Sequence, residues 1–301
     1  MMKMKEKSKA RRRVRTRAAL FLTIASFAGL ISLGILRLTV QMSTLSSVAL
    51  GAAGTLVCFL LPALAGLFLI DGDQSAMLPM RSLSAQHVLF LSLTGVLLVC
   101  PMSLLAEMPN AALRLMGFAL PERAAGMLDA SLFLPCLLAS GLLAPICEEL
   151  FFRGYLMGVF TRFGRGRAVV SSALLFSLAH GVDMAFLPRV LIGTLLGDAM
   201  ARTGSILAPM LLHGCYNIAI ILINFSGASD LFTGYSMLSC AVRLMGTALC
   251  WGAYARACRA RATRVAAEIQ IGRWKKKEIA LLAAAVLATA AAVMTTGVMK
   301  P

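Results

Sequence analysis

The chain has 301 residues, of which 59% are hydrophobic, and it carries a mean hydropathy of +0.83 and a formal net charge of +16. This apolar share is well above that of a soluble globular domain, so the composition excludes that class and indicates a polytopic membrane protein. Its basic blocks, Lys3–Arg17 and Arg256–Lys277, suit the surface of an anionic membrane and disfavour nucleic-acid binding, because we detect no soluble domain to present them.

The hydrophobic runs predict an all-α fold, a polytopic membrane helix bundle with about nine transmembrane helices. In chain order the predicted spans are Ala18–Leu36, Ser46–Ile70, His87–Ala106, Leu132–Phe160, Ala168–His180, Met184–Met200, Ile206–Asn224, Tyr235–Tyr254 and Ile279–Val298. The segment Glu107–Ala130 carries charges of both signs and is predicted to be an interfacial connection that can include a short amphipathic helix. The last span is rich in alanine and inserts less strongly than leucine-rich spans, so the count is eight to nine.

The distribution of basic residues predicts the orientation of these spans. With the N-terminus in the cytoplasm, the cytoplasmic segments hold 22 basic residues and the opposite segments hold four. Cytoplasmic loops carry the excess of Lys and Arg in membrane proteins. We therefore predict a multi-pass protein of the cell membrane with its N-terminus cytoplasmic.

Three ionisable residues, Glu148, Glu149 and Arg153, lie inside the fourth predicted span. Each costs about 2.5–3.5 kcal/mol near the bilayer centre, so they must be paired, hydrated or functional. On a helix Glu149 and Arg153 are four residues apart and share a face, whereas Glu148 points about 100° away. The spacing predicts a Glu149–Arg153 pair and leaves Glu148 to face a polar cavity; a purely structural ion pair is the alternative.

Three more polar residues lie in neighbouring apolar spans: His180 ends a short helix, and His213 and Asn217 share one face of another. If these helices converge, a carboxylate with a histidine can deprotonate water, and an amide with a second histidine can stabilise an oxyanion. Alternatively, Glu148, His180 and His213 supply three ligands for a catalytic divalent metal such as zinc. There is no H-E-x-x-H motif, and the residues leave both chemistries open.

The order Glu-Glu-x-x-x-Arg, Phe-x-x-x-His and His-x-x-x-Asn resembles the three motifs of the CPBP family, which comprises the CAAX prenyl endopeptidases and bacteriocin-processing (Abi) proteins. The resemblance covers about Leu132–Asn224. It implies an all-helical intramembrane endopeptidase whose catalytic chamber opens toward the cytoplasmic leaflet. It further implies that Glu148 activates water with His180, that Glu149 and Arg153 support the site, and that His213 and Asn217 form the oxyanion side.

On this reading, residues 1–130 form a basic tail and three spans, 131–225 the catalytic core, and 226–301 two spans joined by a basic cytoplasmic loop. The expected partners are the lipid bilayer and a membrane-embedded or lipid-anchored peptide or protein substrate, with no nucleic acid. Two alternatives use the same polar cluster without proteolysis. One is a transporter, and the other is a non-catalytic membrane scaffold or immunity protein.

Overall fold

The computed structural model describes residues 21–36, 39–69, 78–117, 129–161, 164–181, 185–233 and 236–259. The basic tail Lys3–Arg17, most of the basic loop that begins at Arg256, and the last predicted span lie outside these residues. The described residues include all or most of each of the other eight predicted spans.

Helices account for almost all of the described chain, and the predicted all-α membrane bundle is confirmed. They are α1 (Phe21–Leu36), α2 (44–69), α3 (85–115), α4 (Ala130–Phe160), α5 (Arg165–Ala179), α6 (Phe186–Thr203), α7 (Leu207–Ser226), the short α8 (Asp230–Thr233) and α9 (Met237–Arg259). By length and composition, α2, α3, α4 and α7 can each cross a membrane, and α1 is a shorter apolar helix. Within the described residues the only strand-like pairing is an isolated bridge between Met80 and Ser205.

The third predicted span agrees closely with the apolar stretch Ala85–Met108 that is long enough to cross a membrane, but the helix itself runs further. Its interfacial connection was predicted to start at Glu107, but α3 continues as a helix to Leu115. The sequence after Glu107 contains Met, Ala and Leu, which are strong helix formers, and this propensity outweighs the loss of hydrophobicity. Further back, the N–H of Leu98 bonds to the carbonyls of Thr94 and Gly95, which places Pro101 in the first turn of a new helical segment, where its missing N–H is tolerated.

Helix α4 is not a regular α-helix. It contains two π-helical segments, Leu137–Leu143 and Leu150–Leu156, and the α-helical segment Ala144–Glu149 lies between them. π-Helical turns are rare and are frequent at functional sites. The two glutamates therefore lie at the end of a short regular segment whose direction is set by irregular turns on both sides.

One end of the bundle is tied together by backbone carbonyls. Ser205 Oγ donates to the carbonyl of Arg81 over 2.6 Å, the N–H of Ile206 donates to the carbonyl of Pro79 over 2.9 Å, and Arg165 donates to the carbonyl of Ala201. We call this the basic end. It is defined by Arg81, Arg165, Arg167, Arg202, Arg256 and Arg259.

Small residues allow α5 and α6 to pack closely. A Cβ atom at Gly193 would lie 2.9 Å from the Cα of Ala173, and one at Gly197 would lie 2.9 Å from Cγ1 of Val169. Real Cβ atoms do not approach so closely, so glycine is required at these separations. The Gly193–Gly197 pair thus allows α5 and α6 to pack closely within the bundle.

Candidate active site

Glu148 and Glu149 occupy different environments although they are adjacent on α4. Glu149 is completely buried, and Glu148 retains 6% exposure. Below them lies a cluster of aromatic side chains from α2, α4 and α5, which comprises Phe59, Phe151, Phe152, Tyr155 and Phe176. Successive residues of a helix point about 100° apart, so one carboxylate faces the packed interior and the other faces open space.

The expected pair between Glu149 and Arg153 is present. Arg153 Nη1 donates to Glu149 Oε1 over 2.8 Å, and both side chains are fully buried. The guanidinium also donates through Nη2 to the carbonyl of Gly193 on α6 over 3.0 Å, and its Cζ lies 4.6 Å from the centre of the Phe176 ring. Arg153 therefore fixes Glu149 and ties α4 to α6.

His213 of α7 contacts the same carboxylate oxygen, with 2.8 Å between Nδ1 and Glu149 Oε1. A carboxylate that already accepts from Arg153 is ionised and can only accept hydrogen bonds, so Nδ1 of His213 carries a proton. In the neutral imidazole the lone pair is then on Nε2. This nitrogen lies 3.9 Å from Glu148 Oε2.

His180 shows the same arrangement with a different partner. Its Nδ1 lies 2.8 Å from the carbonyl oxygen of Phe176, one turn earlier on α5. A carbonyl oxygen can only accept, so Nδ1 donates and Nε2 of the neutral ring carries the lone pair. Nε2 lies 3.6 Å from Glu148 Oε2.

Two imidazole nitrogens therefore converge on one oxygen of Glu148. This Oε2 atom is buried and has no hydrogen-bond partner within the described part of the chain. A buried carboxylate oxygen without a donor is unfavourable, and such exceptions mark sites where a water, an ion or a substrate is used.

Asn217 is tied to an unusual carbonyl group on α4. In the π-helical segment Leu137–Leu143, the N–H of Ala144 bonds to the carbonyl of Ala139, and the next residue, Pro145, has no N–H. The carbonyl of Ser140 therefore lacks a helical donor, and Asn217 Nδ2 supplies one over 2.8 Å. An amide nitrogen has two hydrogens, so one donor of Asn217 remains for the site.

One cavity of about 1210 Å³, which we call the chamber, is lined by Glu148, His180, His213 and Asn217. It exceeds the roughly 300–1,000 Å³ of typical small-molecule pockets. Its walls are mostly apolar, and a large part of them comes from α1 and α2. These wall residues are Phe27, Leu30, Ile31, Leu33, Gly34, Thr44, Ser47, Val48, Leu50, Gly51, Ala52, Gly54, Thr55 and Phe59.

The set Glu148, His180 and His213 has the ligand chemistry of a divalent-metal site, but its atoms stand further apart than the ligands of a bound metal. In the part of the chain that is described, no three His, Cys, Asp or Glu side chains are arranged to hold a metal ion as they stand. Ligand atoms of a tetrahedral zinc are separated by about 3.3 Å, given bonds of about 2.0–2.1 Å, whereas the two distances to Glu148 Oε2 are 3.6 and 3.9 Å. Both histidines donate their other ring N–H to an oxygen, which is the usual arrangement of metal-binding histidines.

A membrane helix bundle with a buried carboxylate, two imidazoles and an amide in one chamber has the groups of a hydrolase site. Residues 130–219 match the family described as Type II CAAX prenyl endopeptidase Rce1-like. This stretch is therefore similar to the Rce1-like endopeptidases, and the resemblance inferred from its motifs is confirmed. The match supports a CAAX-protease-like membrane peptidase at the level of the family. Neither the curated proteins nor the solved structures gave a match.

The structure brings all six sequence-predicted residues together: Glu148, Glu149, Arg153, His180, His213 and Asn217. Two contributors were missed, because they are main-chain carbonyls, those of Ser140 and Gly193. The Phe176 ring also packs against both histidines, which was not predicted from the sequence. Its centre lies 4.7 Å from that of His180 and 5.6 Å from that of His213, and only the Phe-x-x-x-His spacing could have indicated this.

Proposed function

We propose that this protein is an intramembrane endopeptidase that hydrolyses a peptide bond in a membrane-associated protein or peptide. One observation carries the proposal. At the inner end of the chamber, Glu148 Oε2 faces two imidazole nitrogens and has no hydrogen-bond partner among the described residues. This is the arrangement that a general base for a bound water requires.

In the glutamate-based form of the reaction, Glu148 accepts a proton from water and the resulting hydroxide adds to the substrate carbonyl carbon. Asn217 donates its second N–H to the oxyanion, and His213 donates through Nε2 once it is protonated, a state that Glu149 stabilises. Glu148 then returns the proton to the amide nitrogen, either directly or by way of His180 Nε2, the C–N bond breaks, and an amine and a carboxylic acid are released.

In the metal-dependent form, Glu148, His180 and His213 would hold a zinc ion, which would make a bound water more acidic and polarise the carbonyl. The tautomers described above suit this form, because both Nε2 atoms carry lone pairs. In either form Glu149 and Arg153 do not touch the substrate. They are positioning residues that orient His213.

The test compares cells that produce the wild-type protein with cells that produce Glu148→Gln. Newly formed termini of membrane and exported proteins are identified by mass spectrometry. Gln keeps the size of the side chain and removes the base, so we expect the peptides cut by the wild type to disappear, with a rate loss of about 100- to 10,000-fold.

The matched control is Asp198→Asn. Asp198 is a carboxylate on α6 outside the chamber, where it accepts from Arg202 Nε over 2.7 Å and from Tyr254. This variant should cut like the wild type. A Glu148→Gln protein that accumulates normally and produces the wild-type termini would contradict the proposal. A transport defect with no cut peptide would favour a transporter instead.

A further inference from the structure

The chamber and the basic end lie at opposite ends of the bundle. On α4 the chamber-lining residues fall within 139–148, on α5 within 176–181, on α6 within 185–192 and on α7 within 213–224. In each helix these residues lie toward the end away from Arg165, Arg202 and the other basic-end arginines. The chamber therefore opens at the end that holds Gly181, the start of α6 and α8.

The part of the bundle between the site and the basic end is packed. Helix α4 continues for 12 residues beyond Glu148, or about 18 Å at 1.5 Å per residue. A cluster of buried side chains that includes Met157, Ala168, Met200 and Ile206 fills this part. Glu148 thus lies at the closed inner end of a chamber with its mouth on the other side.

Charge identifies the side on which the mouth lies. Six described arginines define the basic end, whereas three, Arg114, Arg189 and Arg243, lie toward the mouth, the last donating to the carbonyl of Phe232 on α8. The block Lys3–Arg17 leads in sequence into α1, whose Leu22 packs beside Tyr155 below the site, and the block Arg256–Lys277 begins in the last turn of α9. The positive-inside rule therefore assigns the basic end to the cytoplasm.

Two expectations drawn from the sequence are thus incompatible. The charge distribution placed the N-terminus in the cytoplasm, and the family resemblance placed the chamber mouth toward the cytoplasmic leaflet. With mouth and basic end on opposite sides, only one can hold. The bias of 22 basic residues to four across the whole sequence favours the charge-based orientation.

We propose that the chamber opens on the extracytoplasmic side of the membrane and receives its substrate there. Resting on the proposed function, this identifies the substrate class as an extended apolar segment of an exported or membrane-anchored protein that reaches the extracytoplasmic surface. Apolar walls from α1 and α2 suit such a segment. Polar side chains near the mouth, those of Glu107, Arg189, Asn224 and Ser229, suit its hydrated flank.

Cysteine labelling in intact cells tests the sidedness without requiring catalysis. A single cysteine is introduced by Asp230→Cys near the mouth, by Ala144→Cys inside the chamber or by Thr161→Cys at the basic end, in a chain whose eight native cysteines are replaced by serine or alanine. All three are also made in the Glu148→Gln background. The probe is a small membrane-impermeant maleimide, applied before and after permeabilisation.

We expect Asp230→Cys and Ala144→Cys to be labelled in intact cells, and Thr161→Cys to be labelled only after permeabilisation. The reverse pattern overturns the inference. If the cysteine-free chain does not accumulate, the same three variants are compared with the parent protein in the native-cysteine background, where the difference in labelling gives the same reading.

A cleavage arm separates this inference from the proposed function. Two reporters carry the same apolar peptide segment next to a membrane anchor, one on the extracytoplasmic side and one on the cytoplasmic side. Cleavage of the extracytoplasmic reporter by the wild type and not by Glu148→Gln supports both proposals. If the mouth cysteines are labelled from outside but neither reporter is cut, the extracytoplasmic position of the mouth is supported and the peptidase function is not. If only the cytoplasmic reporter is cut, the extracytoplasmic position is wrong.

Discussion

The two faces of α4 at the glutamate pair differ in what their carboxylates contact. On the packed face, Glu149 Oε1 accepts from Arg153 and His213, and Arg153 reaches across to Gly193. Glu149 Oε2 and Arg153 Nε on this face have no hydrogen-bond partner among the described residues. On the chamber face, Glu148 makes no ion pair with an arginine; its Oε2 also lacks a hydrogen-bond partner there and instead faces the two imidazole nitrogens at 3.6 and 3.9 Å. The difference teaches that the same residue type at adjacent positions can serve stability at one position and chemistry at the next.

The largest expected effect contrasts Glu149→Gln with Glu148→Gln. Glu149→Gln leaves the buried Arg153 without its counter-charge, so we expect a stability loss of roughly 3–5 kcal/mol. Glu148→Gln removes no pair and should unfold like the wild type while losing hydrolysis. Unfolding of both variants is measured in detergent by thermal denaturation, and equal melting temperatures for the two would remove the distinction between the faces.

A second prediction tests how far burial decides the value of an ion pair. Arg153 and Arg202 each pair with an acid four residues earlier at 2.8 and 2.7 Å, but the first pair is fully buried and the second is partly exposed. Arg153→Ala should cost roughly 3–5 kcal/mol, and Arg202→Ala about 0–1 kcal/mol.

Both variants are compared in the same detergent by chemical or thermal denaturation. Arg202→Ala serves as the control because it removes the same side chain from the same spacing. If both variants lose equal stability, the buried pair has no special role in holding α4 against α6.

The smallest expected effect belongs to the chamber face. Asn217→Ala removes the donor to the carbonyl of Ser140, which should cost about 1 kcal/mol because the side chain is only partly buried. The same variant should lower hydrolysis far more than this loss of stability would, if its second N–H serves the oxyanion. A variant with a reduced melting temperature and normal hydrolysis would show that Asn217 only joins α7 to α4 through its hydrogen bond to Ser140.

Much of this site could be predicted from the sequence because it depends on local spacing. The i to i+4 relation gave the Glu149–Arg153 pair, and the 100° step between neighbours separated Glu148 from it. The helices themselves were found because long apolar runs determine them. These features need only the geometry of a single helix.

The remaining features depend on how helices meet, and no local pattern encodes them. The tie between Asn217 and Ser140 exists because Ala144 bonds five residues back and Pro145 has no N–H, which became visible only with the π-helical segments of α4. The apolar walls from α1 and α2 carry no chemical motif. The charge distribution and the family resemblance imply opposite positions for the chamber mouth. This conflict could be recognised only once the structure showed which end of each helix lines the chamber.

The closed inner end of the chamber also determines where protons go. Water that reaches Glu148 through the mouth is continuous with one compartment and is separated from the other by about 18 Å of packed helix. On the proposed function, every proton taken up or released during hydrolysis would therefore be exchanged with the compartment at the mouth. With the mouth on the extracytoplasmic side, the acidity of the cell's surroundings governs the ionisation of Glu148, and turnover neither draws on nor dissipates the proton gradient across the membrane.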